Sequence, residues 1–258
     1  MIINPLYSIA GIFVGLIVGL TGVGGGSLMT PLLVLVFGFH PVTAVGTDLL
    51  YASATKAVGT SVHGWRGTVD WKVVRRLAMG SVPATILTIL ALHYGPPQSK
   101  DTGQAIQIVL GVTLILSAVA AIFRQRLVGW LKPRFDAMSD RRHHGLTALL
   151  GVTLGVLVSL TSVGAGALGM TALLILYPHI PINRLVGSDI AHAVPLTLLG
   201  GIGHWWLGSV DFSLLASLLI GSVPGIIIGS VIASRVSDRV LGPVLAVILA
   251  IIGVRLLF

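Results

Sequence analysis

Asp48, Ala52, Lys56, Gly59 and His63 follow one another at intervals of three or four residues. At about 100° per residue they share an arc of about 80° on a single helix. Asp189, Ala193, Thr197, Gly200 and His204 repeat the same intervals later in the chain. Carboxylates, a lysine and imidazoles set among small side chains can bind an anion, pair with one another or pass protons. On apolar segments such groups are costly and face an interior cavity, which makes each a functional candidate. Structural readings stand beside the functional ones. Asp48 and Asp189 fall in the first turns of their helices, where a carboxylate complements the helix dipole, and His63 and His204 near the C-terminal ends, where an imidazole can satisfy carbonyls. Lys56 lies deeper, and its depth leaves it a salt bridge or an anion.

A glycine-rich turn precedes each stripe: "LTGVGGGSLMTP" from Leu20 to Pro31 and "LTSVGAGALGMT" from Leu160 to Thr171. The apolar segments that follow are short. Ser27 to Phe39 is thirteen residues, about 20 Å of helix against a hydrocarbon core of about 30 Å, and Ala167 to Tyr177 is shorter still. Each turn therefore reads as the tip of a hairpin that enters a membrane without crossing it. Irregular backbone at that depth is tolerated only inside protein or beside a wet cavity. The helix beginning at the tip aims unpaired N–H groups and the positive end of its dipole into that cavity, an arrangement suited to an anion. The candidate binding residues are Thr21, Gly22, Gly24, Gly25, Gly26 and Ser27 in the first turn, and Thr161, Ser162, Gly164 and Gly166 in the second. Asp48, Lys56, His63, Asp189 and His204 join them from the stripes. Gly15 and Gly19, a G-x-x-x-G, read instead as helix packing.

Composition supports this setting. Of 258 residues, 55% are hydrophobic and 9% charged, against roughly 25% charged in soluble domains, and the mean hydropathy is +0.99. Apolar runs recur along the whole chain without the alternating pattern of a membrane β-barrel. The expected class is an all-α polytopic membrane protein in a lipid bilayer. A net charge of +8 follows from Lys and Arg in cytoplasmic loops rather than from a nucleic-acid partner. The first segment, "MIINPLYSIAG", lacks the basic start of a secretory signal peptide and is expected to be retained. With no cysteine and no histidine partners at metal spacing, neither a metal nor another cofactor is expected.

Shifting the chain by 141 residues lays Gly46–Thr47–Asp48 on Gly187–Ser188–Asp189, and His63, Trp65 and Gly67 on His204, Trp206 and Gly208. It also lays "GSVP" at Gly80 to Pro83 on Gly221 to Pro224. The expected organisation is an N-terminal transmembrane repeat, 1–123, a cytosolic linker, 124–144, and a C-terminal transmembrane repeat, 145–258. Each repeat holds a short glycine-broken hairpin plus three spanning helices, eight to ten hydrophobic segments in all. Five segments per half is an odd number, so the two copies would run in opposite senses through the membrane. With the linker in the cytosol, thirteen of the sixteen Lys and Arg lie on that side, Lys100 and Arg255 lie on the other, and Lys56 lies within a segment. His143 and His144 in the linker read as solvated. Trp65, Trp205 and Trp206 read as interfacial anchors, and Pro83 and Pro224 as kinks in the fourth segments.

The glycine turns, "VGTDLLYASATKAVGTSVHGWRGTVDW", "VGSDIAHAVPLTLLGGIGHWWLGSVDF" and both "GSVP" elements resemble the sulfite exporter TauE/SafE family of bacterial inner-membrane permeases over nearly the whole chain. The resemblance implies a multi-pass inner-membrane transporter of sulfite, organosulfonates or related small sulfur-containing anions, acting without ATP hydrolysis. Ser162 and Ala165 replace Gly22 and Gly25, and Thr197 replaces Lys56, so the site is expected to be asymmetric. The leading reading is a secondary carrier or facilitator that exports a small anion. The alternatives are a proton-coupled carrier of another small organic anion and an anion channel. An enzyme is disfavoured, because no H-E-x-x-H, aspartate-rich site or nucleophile with its base is present. A homo-oligomer is compatible with the sequence.

Overall fold

The computed structural model describes residues 3–21, 26–65, 67–95, 100–136, 138–233 and 238–258. Their regular structure is helical throughout, in ten elements. The first half runs α1 Pro5–Thr21, α2 Gly26–Leu35, α3 Pro41–Trp65, α4 Trp71–Tyr94 and α5 Lys100–Asp136; the second runs α6 Asp140–Thr161, α7 Ala167–Leu176, α8 Ile182–Trp206, α9 Phe212–Ala233 and α10 Asp238–Leu257. Five of these, α4, α5, α6, α8 and α9, are long and apolar enough to cross a membrane. At ten residues each, α2 and α7 span only about 15 Å, about half the hydrocarbon core. Outward faces remain apolar, with Phe13, Met79, Leu87 and Val231 all exposed. Trp65, Trp205 and Trp206 are exposed as well, at the C-terminal ends of α3 and α8.

Helices of one half pack on helices of the other. α1 lies along α9 and α6 along α4, while α3 pairs with α8 and α5 with α10. Small residues set the closeness of these crossings. Gly11 and Gly15 of α1 rest on the backbone of Leu218 and Ser222 in α9; Gly151 and Gly155 of α6 rest on Leu77 and Ser81 in α4. In return Gly221 meets the Ser8 carbonyl and Gly80 the Ala148 carbonyl. Gly15 thus packs as its motif suggested, with Gly11 beside it. Hydrogen bonds repeat the reciprocity: Asp70 N–H donates to Ser188 Oγ at 2.8 Å and Asp211 N–H to Thr47 Oγ1 at 3.1 Å. Asp70 and Asp211 also cap α4 and α9, each accepting from two amides of the first turn. Exchanging the halves maps each of these pairings onto its counterpart, as in a self-complementary interface.

The polar stretch from Arg124 is largely helical: α5 continues to Asp136 and α6 starts at Asp140. Loss of hydrophobicity ends a membrane span but not a helix, because Arg, Gln and Leu all favour helical backbone. One expectation needs correction: His143 is not solvated. It is buried, with Nε2 3.2 Å from the Phe135 carbonyl and its ring stacked on Tyr177 at 5.5 Å. His144 is exposed, as expected.

Candidate functional site

α6 ends where Ser162 turns left-handed, at φ 58°, with its N–H donating to the Val158 carbonyl at 2.8 Å. Ser162 is the one non-glycine residue with positive φ among those described, a conformation uncommon outside glycine. Gly164 follows at φ 124°, which only glycine adopts without strain. Thr161 braces the bend. Its hydroxyl donates to the Leu157 carbonyl at 2.6 Å and accepts from Val163 N–H at 3.1 Å. Gly166 then caps α7 without a side chain. The amides of Gly164, Ala165, Gly166 and Ala167 have no acceptor among the described residues, and these four residues line one cavity.

The rest of that cavity comes from three other helices: Ser27 in the first turn of α2, Lys56 from α3 and Ser117 from α5, with Ser162 and Val163 beside them. The space it encloses is small, about 10 Å³, close to what a single water molecule needs. Lys56 is half-buried. Among the described residues no carboxylate lies within 4.0 Å of its ammonium. It nevertheless interacts electrostatically with Asp189, Asp48 and His192. One cation, four unclaimed amides and nearby hydroxyls therefore converge on a small space, a set of groups that together attract negative charge.

The two aspartates differ. Asp48 is fully buried, and its Oδ2 accepts from Thr30 N–H at 3.2 Å and from the Thr30 hydroxyl. Ser162 stands beside it as a further hydrogen-bonding neighbour. Asp189 is 6% exposed and makes no side-chain hydrogen bond among the described residues. Its Oδ1 lies over Gly169 in the first turn of α7, where a Cβ would stand 3.0 Å away.

The structure thus brings Ser27, Lys56, Ser162, Gly164 and Gly166 to one cavity, with Asp48 and Asp189 acting on its lysine. Thr161 serves the bend. His204 is a tie between helices: it is buried, with Nε2 2.9 Å from the Ser159 carbonyl, and lies away from the cavity lining. Thr21 and Gly26 are the last residue of α1 and the first of α2. Gly22, Gly24 and Gly25 lie outside the described residues, as does the side chain of His63. Sequence reasoning missed Ser117, which arrives from a distant helix with no local signal. It also missed His192, fully buried with Nε2 2.8 Å from Ser81 Oγ, although its position three residues after Asp189 places both on one side of α8. No group of three or more His, Cys, Asp or Glu that could hold a metal occurs among the described residues.

Apolar helices around a small internal cavity with polar lining, two of them too short to cross, define a multi-pass membrane protein. Comparison with known proteins narrows the class: the chain belongs to the sulfite exporter TauE/SafE family, whose model matches residues 7–256. It is 44% identical over 214 residues to the probable membrane transporter protein YjnA of Bacillus subtilis (strain 168), covering 83% of this chain and 84% of that one. A second protein of that organism, the probable membrane transporter YdhB, is 26% identical over 210 residues, 81% of this chain and 82% of its own. The probable sulfite/organosulfonate exporter TauE of Cupriavidus necator (strain H16) is 29% identical over 122 residues, 45% of this chain and 46% of its own. No solved structure matches. The family is one of membrane transporters, as the motifs implied.

Proposed function

We propose that the protein is a secondary transporter or facilitator of the bacterial inner membrane that exports small sulfur-containing anions of the sulfite or organosulfonate type. The observation that supports this reading most is Lys56, which lines a small cavity together with Gly164 to Ala167 and has, among the described residues, no ion-pair partner, just as those four amides have no acceptor there. An ion entering a membrane interior loses its hydration, and the ammonium, these N–H groups and the hydroxyls of Ser27 and Ser162 would replace it with fixed dipoles and one charge. The name of the Cupriavidus relative supports the choice of anion.

In this reading the halves run oppositely through the bilayer, so that the α1–α2 and α6–α7 hairpins approach from opposite faces and meet near the midplane. The end of α5 and start of α6, with their arginines, lie in the cytosol. With the interior negative, each charge on a departing anion gains about 2.3 kcal/mol per 100 mV. Export thus needs no other energy source.

Zero-trans efflux of sulfite, methanesulfonate and isethionate from proteoliposomes tests the assignment. Efflux that depends on the protein and saturates with concentration supports a carrier. Efflux linear in concentration would make it a channel, and no efflux of any of the three would remove sulfur oxyanions as the cargo.

A further inference from the structure

We propose that Asp189 takes up a proton when the anion binds beside Lys56, so that anion and proton occupy the site together; the inference rests on the anion-site reading above. Two buried carboxylates, Asp48 and Asp189, act on a single lysine. With both ionised, the site would carry a net negative charge and oppose an entering anion. Like charges gathered in a low-dielectric interior do not coexist without a compensating cation or proton. One carboxyl therefore takes up a proton as the anion arrives.

Which one does so follows from the equivalent threonines. Thr30 donates both its N–H and its hydroxyl to Asp48, and a carboxylate that accepts two hydrogen bonds is held in its charged form. Thr171 is the counterpart of Thr30 in the second half, yet its hydroxyl, like Asp189 Oδ1, is buried without a partner among the described residues. Asp189 thus lacks the donors that fix a charge, and it has a lysine near enough to feel whether an anion is present. The titratable groups around it are few: Lys56 and Asp48 come from α3, and His192 lies on its own helix. His192 Nε2 is committed to Ser81 of α4. α7 carries no titratable residue, and those of α6 lie in its first turn, Asp140 to His144. A dianion leaving with one proton still carries one negative charge outward, so the membrane potential continues to favour export.

Anion binding to the purified full chain in detergent, followed by calorimetry, tests this with methanesulfonate and sulfate, neither of which titrates near neutral pH. Titrations in two buffers of different ionisation enthalpy should show about one proton taken up per anion, and affinity should rise about tenfold for each unit fall in pH across the range where Asp189 titrates. In Asp189→Asn, a near-isosteric change, proton uptake should vanish and the affinity should become independent of pH, whereas Asp48→Asn should retain the uptake. Binding without proton uptake by the unaltered protein would overturn the proposal, and so would uptake that persists in Asp189→Asn. Absence of binding by either anion would instead count against the anion site itself, and the inference would fall with it.

Discussion

Thr30 holds Asp48 with both of its donors, the N–H at 3.2 Å and the hydroxyl, in a fully buried pair. The hydroxyl of the counterpart threonine, Thr171, has no partner among the described residues. Two halves with matching helices thus differ at the point where polar groups meet, and the difference sets the first expectation.

Thr30→Val leaves the Asp48 carboxylate without its hydroxyl donor and should destabilise the protein by about 1–3 kcal/mol. Thr171→Val replaces a buried, unpaired hydroxyl by a methyl group of similar shape and should be neutral or slightly stabilising. Thermal unfolding of both variants in detergent checks the contrast. Equal losses would show that the asymmetry between the two aspartates has no energetic consequence.

The reciprocal helix crossings give a second expectation. A Cβ at Gly80 would strike the Ala148 carbonyl, and one at Gly221 the Ser8 carbonyl. Gly80→Ala and Gly221→Ala should each cost about 1–3 kcal/mol, as overpacking of a close contact does. Gly145→Ala, with nothing within 4 Å, should change stability by no more than about 1 kcal/mol, and in the favourable direction. Melting temperatures of the three variants test the set.

Much of this frame could be read before any coordinates. The intervals from Asp48 to Lys56 and from Asp189 to Thr197 and His204 reveal two polar stripes because helical periodicity is local, and the glycines near Ser162 reveal a break because backbone freedom is a property of the residue itself. Features that arise between distant segments left no such trace. Ser117 reaches the cavity from α5, Tyr177 buries His143 across 34 positions of sequence, and the Ser159 carbonyl engages His204.

The topology proposed here has its own test, and the absence of cysteine makes it clean. Single cysteines at Ser139 and Phe258, treated in intact cells with a thiol reagent that cannot cross the membrane, should react at Phe258 and not at Ser139. Labelling at Ser139 alone would reverse the arrangement in the membrane and require another explanation for the thirteen basic residues placed on the linker side.

The central claim is that Lys56 stabilises an anion on its way through the protein. Anion efflux from vesicles reconstituted with the unaltered protein or with Lys56→Met, under a potential set by potassium and valinomycin, tests it most directly. The account predicts that efflux of a dianion such as sulfite rises when the potential drives negative charge outward, and that Lys56→Met lowers it at least about tenfold, equivalent to about 1.4 kcal/mol. Unchanged efflux in correctly folded Lys56→Met protein would contradict the account and leave Lys56 as no more than a charge balanced by Asp48 and Asp189.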